Sequence, residues 1–119
     1  MTSSEATQHE IKISAVVFRE GDQFVAQGLE YDICAYGKNV TDAQRKFLRA
    51  VLSNALVCLE LGKAPMEGIK AAPQKYWDMF KASDVRIEKI DQDTTPIRVP
   101  HMPAPIIRPM MRLLEREAA

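Results

Sequence analysis

The sequence predicts an α+β protein: an antiparallel sheet of three to four strands packed against one long helix, followed by a second, short helix and an extended proline-rich C-terminal tail. Three observations predict it. Residues 11–29 alternate apolar and polar positions around a Gly-containing turn. Residues 41–61 carry a helical apolar stripe between an N-cap and a glycine stop. Residues 96–109 hold prolines at 96, 100, 103, 105 and 109.

Each element has its own local signal. Residues 1–10 are polar and lack periodicity, and read as a disordered N-terminal tail. Ile11, Ile13, Ala15 and Val17 alternate with Lys12, Ser14 and Val16, the pattern of a half-buried strand. Glu20-Gly21-Asp22 is a turn, and residues 23–29 resume an extended pattern, so the two runs form a β-hairpin. Residues 33–36 make a short third strand ended by Gly37, with Glu30-Tyr31-Asp32 as the connection. Thr41 is the expected N-cap of the long helix, and Gln44 the residue that completes a capping box. Asp42 lies at the positive end of that helix dipole. Gly62 is placed as the left-handed C-cap after Leu61.

Phe47, Val51, Ala55, Cys58 and Leu59 follow the spacing of a core stripe, and Leu48, Leu52, Leu56 and Leu61 widen it. A small sheet covers one side of such a helix. The rest calls for a second cover, either the C-terminal segment or another subunit. Pro73 opens the second helix, which carries Tyr76, Trp77, Met79 and Phe80 and ends at Ser83-Asp84. Val85 and Ile87 alternate with charges up to Ile90, a fourth strand. The proline run lacks backbone donors and is expected to be extended and polyproline-like. Met110 to Glu117 reads as two helical turns, too short to stand alone, that either dock or stay mobile. Residues 11–92 form the expected domain and 93–119 the tail.

Composition narrows the functional classes. The chain has 119 residues, 46% hydrophobic and 27% charged, as a globular domain does. Sixteen basic and sixteen acidic residues give a net charge of zero, so no global field draws nucleic acid or anionic membrane. No apolar run has the length of a membrane span, and the N-terminus lacks a signal-peptide pattern, so the expected location is cytoplasmic. Cys34 and Cys58 sit in no metal-ligand spacing and are expected to be reduced, packed thiols, with a disulfide left open.

Residues 24–47, FVAQGLEYDICAYGKNVTDAQRKF, resemble the HicB-type antitoxin family. The matching residues are Val25, Ala26, Leu29, Glu30, Asp32, Gly37 and Thr41, and the resemblance covers about residues 11–62. It implies a partial RNase H-like fold, toxin neutralisation as the function, and a HicA-like toxin, a small ribonuclease, as the partner. Many members add a C-terminal DNA-binding unit that represses their own operon. Here Gln44 and Arg45 stand where the family usually has Glu and Ala, and residues 63–119 show no second amphipathic helix pair.

The residues themselves point to binding rather than catalysis. Glu30 and Asp32 are two carboxylates beside one turn, but a metal nuclease needs several that converge, and the strands offer none. They read as a contact surface, with simple loop polarity as the alternative. Tyr31 and Tyr36 bracket them, as interface residues or as half-buried support for the sheet. Tyr76, Trp77 and Phe80 read as core or subunit interface. His9 and His101 are isolated. No catalytic, cofactor-binding or metal-ligating residue is assigned.

The expected function is a HicB-like protein-binding module that contacts its partner through Glu30, Tyr31, Asp32 and Tyr36. Homodimerisation is expected through Leu52, Leu56, Tyr76, Trp77 and Phe80. The alternative is a nucleic-acid-binding transcriptional regulator acting through the tail arginines Arg98, Arg108, Arg112 and Arg116. A small hydrolase is disfavoured by the missing catalytic constellation.

Overall fold

A hairpin whose two strands share one turn sets the frame. A computed structural model of the protein describes residues 9–83, 85–87 and 105–115. In chain order these form β1 (Glu10–Glu20), β2 (Gln23–Gly28), β3 (Cys34–Gly37), α1 (Val40–Glu60), α2 (Gln74–Ala82), β4 (Val85–Ile87) and β5 (Ile106–Leu113). The strands make one five-stranded sheet in the order β3-β2-β1-β5-β4. β1 and β2 pair antiparallel from Glu20↔Gln23 to Ala15↔Gly28, leaving Gly21-Asp22 as a two-residue turn.

The α+β class is as expected, but the sheet is not. It has five strands, and it is mixed, because β5 runs parallel to β1 from Glu10↔Ile106 to Val17↔Leu113. Residues 106–113 are therefore a strand, where a polyproline segment and then a helix were expected. The backbone pattern shows how Pro109 fits. The Ile106 N–H donates to His9 O and the Leu114 N–H to Val17 O, each at 2.8 Å. Even-numbered residues of β5 thus bond β1. Pro109 is odd-numbered, so its donorless nitrogen faces the β4 side, past Ile87↔Met111, the last described β4 pair. Residues 1–8 of the expected N-terminal tail, the strand residues 88–90, residues 96–104 and residues 116–117 lie outside the described residues; His9 accepts from β5 and Glu10 already belongs to β1, so neither is part of a loose tail.

Both faces of the sheet are covered. Ile11, Ile13, Ala15 and Val17 of β1 join Ala26, Phe47, Val51, Ala55 and Met111 in a core under α1. Val16 and Phe18, the alternate residues, join Val25, Leu29 and Leu114 in a second core, against which Tyr76, Trp77, Met79 and Phe80 of α2 pack. β1 is thus buried on both faces from Ala15 to Phe18, not half-buried as the alternation suggested.

The N-cap of α1 also differs from expectation. Asn39 is the cap: its side chain accepts from the Asp42 N–H at 2.8 Å, and the Asp42 carboxylate accepts from the Lys38 N–H at 2.9 Å. That bond, more than the neighbouring Lys46 ammonium at 3.3 Å, holds the Asp42 carboxyl below its ordinary pKa. Gln44 is buried instead, with its amide 3.7 Å from the Met111 sulfur. Gly37 lets the helix start here, since a Cβ would collide with the Ala43 backbone. At the other end Gly62 has φ 75°, and the Gly62 N–H→Leu59 O and Lys63 N–H→Cys58 O bonds form a Schellman motif. Cys34 and Cys58 are both free thiols, Cys34 exposed rather than packed. Among the described residues, no helix is long and apolar enough to cross a membrane.

The strand assignment of residues 106–113 separates two neighbours. Met111 is buried, whereas Met110 is 46% exposed. Met111→Ala is expected to lower stability by about 2–5 kcal/mol, and Met110→Ala to change it by no more than about 0.5 kcal/mol. Urea unfolding measures both. Equal small effects at the two positions would contradict the strand.

Candidate functional site

The sheet ends at β3, and two of the expected partner residues, Asp32 and Tyr36, lie along its outer edge. The hydrogen bonds fix which backbone groups face outward. Leu29 N–H donates to Ser14 O and Gly28 N–H to Ile33 O. Odd-numbered residues of β2 therefore bond β1, and even-numbered ones bond β3. Across the Ala26↔Ala35 and Phe24↔Gly37 pairs, Ala35 and Gly37 face inward. The backbone groups of Cys34 and Tyr36 point to the open side. No backbone partner for them occurs among the described residues. One residue earlier the edge is closed, because the Asp32 N–H donates to Lys70 O at 2.6 Å.

The connection before β3 is tied down by its own polar groups. Glu30 Oε1 accepts from the Ser14 N–H at 2.6 Å, just beyond the last β1–β2 pair. This carboxylate takes the place of a strand carbonyl. Asp32 Oδ1 accepts from the buried Gln27 amide at 2.8 Å. Both acids therefore hold the loop. Among the described residues no three His, Cys, Asp or Glu side chains gather as metal ligands do.

Side chains divide between the faces. Tyr31 packs on the α1 core. Tyr36 is 47% exposed on the opposite face, in a cross-strand row with Val25 and Phe18. Phe18 in turn stacks on Tyr76 with ring centroids 6.1 Å apart. The structure thus brings Asp32 and Tyr36 to the β3 edge, turns Glu30 back to β1, and separates Tyr31 from Tyr36. The expected dimer residues also divide. Leu52 is half-buried and Leu56 buried on α1, while Tyr76, Trp77 and Phe80 are half-buried on α2 across the sheet. Trp77 donates its indole N–H to Ala72 O at 3.2 Å.

Two residues at this edge lacked a sequence signal. The Glu20 carboxylate is the largest influence on the Tyr36 phenol and holds it above its ordinary pKa. Burial, with help from Asp32 and Glu20, pushes the Cys34 thiol up as well. Glu20 thus acts on both Tyr36 and Cys34. Reading this needs the hairpin register, which sets Glu20 diagonally across from Tyr36. Elsewhere, a shallow depression at the start of α1 is lined by Lys38, Asn39, Thr41, Asp42, Arg45 and Lys46. Its Asp42 N–H and Lys46 ammonium already have partners in the chain.

Comparison with family models, with curated proteins and with solved structures finds no match to this chain.

The raised thiol gives a direct check of this partly buried position and the carboxylates beside it. A thiol with raised pKa holds less thiolate at a given pH. Iodoacetamide labelling of Cys34 is expected to keep accelerating at pH values where the same thiol in the urea-unfolded chain has levelled off. Coincident profiles would contradict the electrostatics described here.

Proposed function

We propose that the chain is a protein-binding module of the HicB kind, which pairs an extended segment of a basic partner protein with the outer edge of β3. The observation that carries this reading is the pair of outward-facing backbone groups at Cys34 and Tyr36. An open edge strand is a template for another strand, with backbone hydrogen bonds supplying affinity. The surrounding Glu20 and Asp32 carboxylates supply the complementary charge for a basic partner. A HicA-like toxin is the partner class that the resemblance implies. Glu30 and Asp32 each use one carboxylate oxygen to hold the loop, which favours binding over hydrolysis.

The test uses the full chain, tagged and recovered from its host extract, with the bound protein identified and its affinity measured. Tyr36→Pro removes one outward N–H while leaving the β2 ladder intact. It is expected to weaken the partner at least about tenfold, or ~1.4 kcal/mol, with an unchanged circular dichroism spectrum. Undiminished binding by the folded variant would contradict edge pairing.

Homodimerisation belongs to the same reading. Val57 and Leu61, 60% and 66% exposed, form an apolar end on α1, and β5 lies in the sheet instead of over it. A second copy of the chain is the cover we propose. Sedimentation is expected to give a dimer for the native chain and a monomer for Val57→Asp; a monomer at all concentrations of the native chain would contradict the dimer.

A further inference from the structure

β5 does more than complete the sheet: it carries two arginines onto a face that already holds other cations. Lys12 pairs with Arg108 across β1 and β5, and Arg86 pairs with Arg112 across β4 and β5. Cross-strand partners share a face, and residues two or four apart on a strand share it too. Lys12, Arg86, Arg108 and Arg112 therefore stand together, with Met110 between the two arginines of β5. This is the face that α2 covers over Val16, Phe18 and Leu29. Toward Lys12 it is open: Lys12, Arg86, Arg108 and Met110 are all exposed.

Like charges directly opposite each other on a sheet repel, and two such pairs lie side by side here. The chain answers them in part. Glu10 accepts from Arg108 at 2.7 Å, a bond that holds the Glu10 carboxyl below its ordinary pKa. Arg112 lies 4.6 Å over the Phe80 ring and donates to Phe80 O at 3.4 Å. Among the described residues Lys12 and Arg86 make no ion pair, although Lys12 adds to the field that lowers the Glu10 carboxyl. A set of cations so arranged suits an external polyanion.

We infer that this face is a binding surface for single-stranded nucleic acid, independent of the β3 edge. Along β5 the two arginines stand roughly 13 Å apart, and Lys12 and Arg86 flank them roughly 5 Å to either side. Such a spread tracks a phosphodiester backbone. Duplex grooves are read by a protruding helix or ribbon, whereas these four cations stand on strands within the sheet. An unstacked strand can instead lay its bases on an apolar spot, here Met110, while its phosphates meet the cations. The net charge of zero hides this surface, because four of the sixteen cations gather here with Glu10 as the one carboxylate that bonds them.

Fluorescence anisotropy of a labelled oligothymidylate of about twenty nucleotides tests it. The native chain is expected to bind at low salt, with log affinity falling against log salt at a slope of roughly −2 to −3, as three or four neutralised phosphates give. Lys12→Gln with Arg86→Gln is expected to weaken binding about tenfold or more, without loss of stability, since it removes one member of each repelling pair. Lys63→Gln with Lys70→Gln makes the same charge change elsewhere and is expected to leave binding within about twofold. Absent binding at low salt, an equal loss in the control variant, or tighter binding of a duplex of the same length would each overturn the inference.

Discussion

The parallel pairing of β1 with β5 is the constraint on which the rest of the structure depends. β1 takes its hydrogen bonds from β2 on one side and from β5 on the other. Without β5, one whole row of β1 backbone groups would lack strand partners, and unpaired buried groups are costly. β5 also feeds both cores, Met111 beneath α1 and Leu114 beneath α2. It is the strand through which β4 joins the sheet. A segment about ninety residues away from β1 in sequence thus closes both layers at once.

Once β1 is central, the outer strands decide what the surface can offer. The β3 edge is narrowed at its N-terminal end. Glu30 completes the β1 ladder where β2 leaves it, and Lys70 closes the edge at Asp32. Two residues, Cys34 and Tyr36, are left with outward backbone groups. Charge is uneven across the sheet: Glu20 and Asp32 act on Cys34 of β3, while Lys12, Arg86, Arg108 and Arg112 share a face around β5. A chain with equal numbers of acids and bases can therefore present two fields of opposite sign, each near enough to its surface to act over a Debye length of ~8–10 Å.

Much of this was legible in the sequence, and the failures have physical reasons. The hairpin, α1 with its glycine stop, and α2 after Pro73 rest on local rules that tertiary contacts did not override. The cap moved to Asn39 because Gly37 lets the chain turn into the helix sooner, and burial took Gln44. Residues 106–113 misled for a different reason. Arg108 and Arg112, four apart, share a face on a helix and on a strand alike, so the spacing did not discriminate. Pro109 argued against a strand, but the objection lapses when its nitrogen faces away from the partner. The expected tyrosine pair divided because Tyr31 precedes β3 and packs on the α1 side, while Tyr36 alternates to the other face. The basic face was hidden since its four members come from three strands, of which β5 was not foreseen.

Amide hydrogen exchange across β5 tests the central claim most directly. If β5 is an integral strand bonded to β1, the amides of Arg108, Met110, Arg112 and Leu114 should exchange as slowly as those of Val16 and Phe18, through opening of the whole domain. Exchange of those four amides at the rate of an unstructured peptide, with β1 still protected, would contradict it.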